Sequence, residues 1–156
     1  MTAAAGQRMG WVWLFPLTYA AHVAEEWWGG FPAWASRLFG ATLTDEAFWA
    51  INGVGLLLFC AVAAVAQGGG TRGAALATVL AAIVAGNGST HVVATLLTGS
   101  YSPGTLTGAV FWVPLGVASL RWTRGRISAV GWAAGIAAGL LVLLGVFALA
   151  SSGPRT

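Results

Sequence analysis

The sequence is poor in charged residues and contains no lysine. Only 7% of its 156 residues are charged, whereas soluble globular domains carry roughly 25%. A water-facing surface cannot be built from so few charges, so an ordinary soluble domain is excluded. Apolar residues make up 58% of the chain, and the mean hydropathy is +0.81. We therefore predict an all-α fold, a polytopic membrane helix bundle, with residues 1–156 forming a single integral membrane domain.

Cysteine is equally scarce, because Cys60 is the only one, and this excludes an intramolecular disulfide or a cysteine-based metal cluster. The net charge of +3 comes from arginines that lie between the apolar runs. That distribution is typical of membrane topology and argues against nucleic acid as a partner. The partner we expect is the lipid bilayer. The abundance of alanine and glycine is typical of a GC-rich bacterial genome, so we expect the inner (plasma) membrane of a bacterium.

Five apolar stretches approach the length of about 20 residues that a membrane-crossing helix needs. They are residues 10–28, 46–66, 74–97, 106–122 and 128–150. The first is interpreted as an uncleaved span rather than a signal peptide, because two glutamates stand at its end. The fourth is short and contains Pro114, which predicts a kink. The Trp-rich segment from Gly29 to Leu43 is too short to cross and predicts a short helix in the membrane interface.

The arginines predict the orientation of the chain. With five spans, one side holds Arg8, Arg72, Arg121, Arg124 and Arg126, and the other holds Arg37 and Arg155. The side richer in arginine faces the cytoplasm in most membrane proteins, which predicts a cytoplasmic N-terminus.

The fifth span carries a stripe of small residues, namely Gly131, Gly135 and Gly139. Such a stripe lets two helices approach closely. Packing within the bundle is the first interpretation, and a homodimer contact through these glycines is the alternative.

Ionisable side chains stand where apolar ones are expected. The first span carries His22, Glu25 and Glu26, and the third carries Asn87 and His91. Steps of three and four residues return to the same helix face, so both glutamates share a face with His22, as His91 does with Asn87. An unpaired ionisable residue inside a membrane costs several kcal/mol, which makes each of them a functional hypothesis.

The predicted heights of these residues agree. At 1.5 Å per residue, His22 lies about 18 Å from the start of the first span and His91 about 25 Å from the start of the third. Asn52 lies about 9 Å below the far surface, and the turn Tyr101-Ser102-Pro103-Gly104 closes the same side. All of them fall in the non-cytoplasmic half, which predicts one shared site supported by Asn52, Asn87 and Tyr101.

Two buried carboxylates repel each other unless protons, an arginine or a metal ion neutralise them. Imidazole and carboxylate groups from two helices form a ligand set suited to a divalent transition metal such as Zn, Fe or Mn. We therefore predict His22, Glu26 and His91 as metal ligands. Glu25, which is expected to face the second or third span, is predicted to be a catalytic general base, with a role as a second carboxylate ligand as the alternative.

The motif His22-Val23-Ala24-Glu25-Glu26 is followed by Asn87-x-x-x-His91 and then by the turn that begins at Tyr101. This combination resembles the HXXEE family of small bacterial membrane proteins, over a stretch from about residue 15 to about residue 110. The resemblance implies a multi-span protein in which His22, Glu25 and Glu26 are the signature positions. It does not supply a reaction.

Three functions remain open. The first is a membrane-embedded, metal-dependent enzyme that hydrolyses, hydroxylates, isomerises or cyclises an apolar or lipid-like small molecule. Its apolar surroundings would come from Phe48, Trp49, Phe111 and Trp112. The second is a small proton- or cation-coupled transporter or channel, which the lack of an inverted repeat argues against. The third is a haem protein with two axial histidines, in which the glutamates have no role.

Overall fold

The fold was obtained as a computed structural model, which describes residues 8–155. The elements in chain order are a 3₁₀ turn (Gly10–Trp13), α1 (Leu14–Trp28), α2 (Phe31–Phe39), α3 (Asp45–Ala66), α4 (Gly70–Thr98), α5 (Thr105–Thr107), a π-helical turn (Gly108–Trp112), α6 (Val113–Arg124) and α7 (Ala129–Ala150). Among the described residues there is no strand, and a single isolated antiparallel bridge joins Ala41 to Arg155. The all-α prediction is confirmed.

Three helices, α3, α4 and α7, are long and apolar enough to cross a membrane. This finding supports a membrane protein. The predicted count of five spans is not confirmed, because α1 has 15 residues and α6 has 12. At 1.5 Å per residue α1 alone is about 22 Å long, and the 3₁₀ turn before it adds about 8 Å, so together they only just reach the hydrocarbon thickness of about 30 Å. The predicted fourth span is divided by the π-helical turn that precedes Pro114.

The ends of the elements follow from local chemistry. The hydroxyl of Thr44 accepts a hydrogen bond from the backbone N–H of Ala47 at 3.2 Å and so caps the start of α3. Ser128 caps α7 in the same way through the N–H of Gly131 at 3.1 Å. The short helix α2 occupies the Trp-rich segment where it was predicted.

The central helix α4 packs against α3, α6 and α7. Glycines on its neighbours allow the close approach: a Cβ on Gly116 of α6 would lie 2.7 Å from the carbonyl oxygen of Ala81. A Cβ on Gly139 of α7 would lie 2.6 Å from the carbonyl oxygen of Val79. Gly135 and Gly139 are therefore buried against α4 of the same chain. The homodimer through Gly131, Gly135 and Gly139 stays a prediction that this packing does not require.

The bundle has two distinct ends. At one end, which we call the N-terminal end, the backbone N–H of Met9 donates to the carbonyl of Gln67 at 2.9 Å, beside the turn between α3 and α4. At the opposite end, the N–H of Thr42 donates to the carbonyl of Pro154 at 2.8 Å. A Cβ on Gly29 would lie 2.7 Å from Cβ of Pro103, so α1 ends against the turn that follows α4. We call this second end the site end.

Candidate metal centre

Three ionisable side chains meet near the site end. Nε2 of His91 lies 3.2 Å from Oε1 of Glu26, and Nε2 of His22 lies 3.6 Å from the same oxygen. One ligand atom from each residue lies within 4.8 Å of the others, and all three residues are buried. We call this group the His/Glu/His cluster. His22 and Glu26 stand one helical turn apart on α1, as predicted, and α4 supplies His91.

Each histidine of the cluster is held from behind by a hydroxyl group. Nδ1 of His22 lies 2.7 Å from Oγ1 of Thr107, and Nδ1 of His91 lies 3.1 Å from Oγ of Ser102. The ring of Trp112 also stacks on His22 at a centroid distance of 3.7 Å. These contacts fix the orientation of both rings and direct their Nε2 atoms towards Glu26.

The turn between α4 and α5 has no room for a side chain where it meets the histidines. Gly104 adopts a φ of +99°, and a Cβ there would lie 2.8 Å from Cε1 of His22 and 2.9 Å from Cε1 of His91. Both the backbone conformation and the space therefore require glycine. The contact packs the backbone of the turn directly against the two rings.

Glu25 holds this turn in place instead of joining the cluster. Its Oε1 accepts hydrogen bonds from the hydroxyl of Tyr101 and from the backbone N–H groups of Gly104 at 3.1 Å and Leu106 at 2.9 Å. Its Oε2 accepts one from the N–H of Thr107 at 2.7 Å. Glu25 thus caps the start of the helical segment after the turn, where N–H groups lack partners within the helix. Burial and the bond to Glu25 raise the pKa of Tyr101, so its phenol stays a donor at neutral pH.

The sequence-based expectation that Glu25 shares one cavity with the other three residues is therefore not met. It was also expected to face the second or third span, and it faces the turn after α4 instead. The physical reason is that both of its oxygens are occupied by hydrogen-bond donors of residues 101–107. The catalytic role predicted for Glu25 stays a prediction that its position does not support.

Asn52, Asn87 and Tyr101, which were predicted to support the site, differ in their contacts with it. Asn52 accepts a hydrogen bond from the hydroxyl of Tyr19 at 3.0 Å and donates to the carbonyl of Phe48 at 3.0 Å. Asn87 has a buried Oδ1 with no hydrogen-bond partner. Tyr101 contacts Glu25 rather than a histidine. Asn52 and Asn87 line the cavity beside the cluster, and Tyr101 does not.

A cavity of about 590 Å³ adjoins the cluster. It lies between α1, α3, α4 and α7, and His22, Glu26 and His91 form part of its wall. Every lining residue that α7 contributes is apolar. Phe48 and Trp112 line it too, whereas Trp49 and Phe111, which were expected there, are exposed on the outer surface.

Sequence reasoning missed Ser102, Thr107 and Gly104. A signal was present, since the Tyr101-Ser102-Pro103-Gly104 turn was placed on the correct side of the bundle. The hydroxyls themselves gave no pattern, because they act through contacts with residues 11 and 85 positions away in the chain.

The geometry also bears on the haem alternative. Axial histidines must stand on opposite faces of a porphyrin, so the macrocycle lies between the two rings. Here both Nε2 atoms lie within 3.6 Å of one carboxylate oxygen of Glu26. The centroids of the two imidazole rings are 5.0 Å apart in a T-shaped arrangement, which is too close for a macrocycle to lie between them.

Together the fold and this cluster define a helical protein with three helices long and apolar enough to cross a membrane and a buried His/Glu/His group. The chain belongs to the family described as protein of unknown function with HXXEE motif, whose model matches residues 13–119. This match confirms the family resemblance found in the sequence. No curated protein and no solved structure matches the chain.

Proposed function

We propose that His22, Glu26 and His91 bind one divalent transition metal ion, and that the protein is a membrane-embedded enzyme that uses it on an apolar or lipid-like molecule. The observation that carries this proposal is the convergence of two Nε2 atoms on one oxygen of Glu26. We also propose that the membrane is the inner (plasma) membrane of a bacterium and that the N-terminus is cytoplasmic.

The distances fit a metal ion. Ligand atoms about 2.1 Å from a tetrahedral ion lie about 3.4 Å from one another. The two histidine nitrogens lie 3.2 Å and 3.6 Å from Oε1 of Glu26. Three protein ligands are the usual number in catalytic zinc sites, because one coordination position stays open for substrate or water.

The hydrogen bonds at the back of the rings favour the same conclusion. If Nδ1 of each neutral ring donates to the hydroxyl beside it, Nε2 carries a lone pair. Two lone pairs would then face the carboxylate of Glu26, and only a positive charge among them makes this arrangement favourable. His22 is consistent with this account, because its buried Nε2 has no hydrogen-bond partner. Histidine ligands of metals typically donate a hydrogen bond from the ring nitrogen that does not bind the metal, as Nδ1 would do here.

When bound, the metal would act as a Lewis acid that polarises an oxygen atom of the substrate. The chain itself would hold the ligands, exclude water and position an apolar molecule. The apolar wall of the cavity favours this function over a pathway for hydrated ions. Hydrolysis, hydroxylation, isomerisation and cyclisation all remain compatible with the cluster.

The test is the metal content of the detergent-purified protein after incubation with Zn²⁺, Fe²⁺ or Mn²⁺ and removal of free ion. We expect about one ion per chain in the wild type and a nearly complete loss in His22→Ala and Glu26→Gln. Removing one of three ligands takes away most of the binding free energy of such a site.

The matched control is Glu46→Gln, because Glu46 is an exposed carboxylate of the same type on α3. This variant should retain the full metal content. Wild-type protein that binds none of the three metals, or variants that bind as much as the wild type, would overturn the proposal.

A further inference from the structure

We infer that the cavity binds a neutral amphiphile with one long apolar chain and a head group that both donates and accepts hydrogen bonds, such as a long-chain alcohol. The chain would lie between α3 and α7, and the head would bind Asn87 and Trp112 beside the cluster. The inference deepens the proposed function and rests on it for any reaction, whereas the binding itself does not require a metal.

The first support is the polarity of the cavity wall. Its polar side chains are Tyr19, His22, Glu26, Asn52, Asn87 and His91, and Trp112 lines it as well. The rest of the wall is aliphatic or aromatic. Binding pockets for small molecules typically combine an apolar wall with a few polar groups that fix the orientation of the ligand. A volume of about 590 Å³ lies within the usual range for such pockets, about 300–1,000 Å³.

The second support is two buried polar atoms that lack partners. Nε1 of Trp112 is a donor, and Oδ1 of Asn87 is an acceptor. Trp112 is 1% exposed, and an unsatisfied buried polar group costs about 1–3 kcal/mol. Trp112 stacks on His22, and Asn87 stands one helical turn before His91. A hydroxyl head can accept from such a donor and donate to such an acceptor, and both residues stand beside the cluster.

The third support is the charge of the wall. Among the residues that the structure describes, the ionisable side chains that line the cavity are His22, His91, Glu26 and the phenol of Tyr19. None of the described arginines lines it, so none is placed to bind a phosphate or a carboxylate. In the metal-free protein the carboxylate of Glu26 would also repel an anionic head. A neutral head is therefore favoured over a fatty acid or a phospholipid.

The fourth support is the direction in which the cavity opens. Val54 and Leu58 of α3 and Val142 of α7 line it, yet each is at least half exposed on the outer surface. These residues stand near the middle of helices that are long enough to cross a membrane. The cavity therefore reaches the face that acyl chains contact, and an apolar chain can pass sideways between α3 and α7.

The experiment uses a hexadecanol probe with a photoreactive diazirine on its chain, added to the full-length protein in phosphatidylcholine nanodiscs. We expect crosslinks to the cavity-lining residues of α3 and α7. Unlabelled hexadecanol should compete. Hexadecane, and in the chelated protein palmitate as well, should compete about tenfold more weakly, which corresponds to about 1.4 kcal/mol. In the chelated, metal-free protein, competition by palmitate as strong as that by hexadecanol would overturn the inference.

Variants provide the controls. Val146→Trp fills the cavity from α7 and should abolish specific labelling. Leu144→Trp adds the same indole to an exposed position of α7 outside the cavity wall and should leave labelling unchanged. Trp112→Phe keeps an aromatic ring against His22 but removes the donor, and should weaken competition by hexadecanol about fivefold. Equal labelling of the two tryptophan variants would also overturn the inference.

Repeating the labelling after metal chelation separates this inference from the proposed function. Specific labelling that persists in a protein without bound metal supports binding of the amphiphile in the cavity. If that protein also fails to take up metal, only the metal proposal is refuted. A protein that binds metal but shows no displaceable labelling retains the metal centre and refutes the amphiphile.

Discussion

Glu25 and Glu26 are adjacent in the sequence, yet their carboxylates have different partners because consecutive helical residues diverge by about 100°. The pairing of Glu26 with His22 could be predicted, since it depends only on a spacing of four residues within one helix. The partners of Glu25 could not. They lie 76 to 82 positions away, in a turn whose place depends on the packing of α1 against the rest of the bundle.

The first prediction concerns Glu25→Gln. A neutral amide would place its NH₂ group against backbone N–H donors, so we expect the variant to lose about 1–3 kcal/mol of stability. The turn that supports both histidines would loosen, and metal affinity should fall by about 10–100-fold, as is typical when groups behind the ligands change. Saturating metal should still give about one ion per chain. Thermal unfolding and metal titration in detergent measure both effects.

The control for this prediction is Glu46→Gln, which changes neither quantity if the role of Glu25 depends on its contacts. A Glu25→Gln protein that loses metal as completely as Glu26→Gln at saturating metal would show that Glu25 is itself a ligand.

Among the elements, the helices with continuous apolar sequence were the predictable ones. The bounds of α3 and α7 agree closely with the predicted spans because caps at Thr44 and Ser128 mark their starts. The fourth span was predicted as one helix with a kink, and it contains a π-helical turn over Gly108–Trp112. That turn depends on a tertiary contact, since Gly108 approaches Gly88 of α4 so closely that a Cβ on Gly108 would lie 3.1 Å from its Cα.

The turn between α4 and α5 yields the second prediction, in which Gly104→Ala is compared with Gly99→Ala. Both glycines have positive φ angles, +99° and +64°, so alanine is strained at either position. Only the Cβ at 104 would also meet the rings of His22 and His91, whereas nothing lies within 4 Å of one at 99. We therefore expect Gly99→Ala to keep its metal and Gly104→Ala to lose most of it.

Metal content per folded chain, measured after size-exclusion chromatography, separates strain from contact with the rings. If both variants retain metal equally, the close packing of the turn against the histidines is not needed for the cluster.

At the scale of the whole molecule, the distribution of arginines agrees with the two ends of the bundle. Trp11 and Trp122 are in contact at the N-terminal end, with ring centroids 5.2 Å apart, and Arg126 stacks over Trp122 at 3.7 Å. The turn that leads to Arg72 lies at the same end. Arg155 pairs with Ala41 at the site end. Charge spacing could predict this division because it requires only the order of the spans.

The number of membrane crossings was harder to predict than the assignment of the arginines to the two ends of the bundle. The 3₁₀ turn and α1 together run from Gly10 to Trp28, between Met9 beside Gln67 and Gly29 beside Pro103. They connect the two ends although α1 itself has only 15 residues. Apolar length in the sequence does not distinguish a full span from a shorter helix that is packed inside the bundle. Three helices are long and apolar enough to cross a membrane. An experiment on sidedness tests which side of the membrane each end of the bundle faces.

The last prediction concerns sidedness, tested with a membrane-impermeant maleimide on intact cells in a Cys60→Ser background. Thr71→Cys places a thiol at the exposed start of α4 near the N-terminal end, and Ser100→Cys places one in the exposed turn at the site end. The end with more arginines should face the cytoplasm. We therefore expect Ser100→Cys to react in intact cells and Thr71→Cys to react only after permeabilisation. The reverse labelling would place the N-terminus outside, and the His/Glu/His cluster would then open near the cytoplasmic surface.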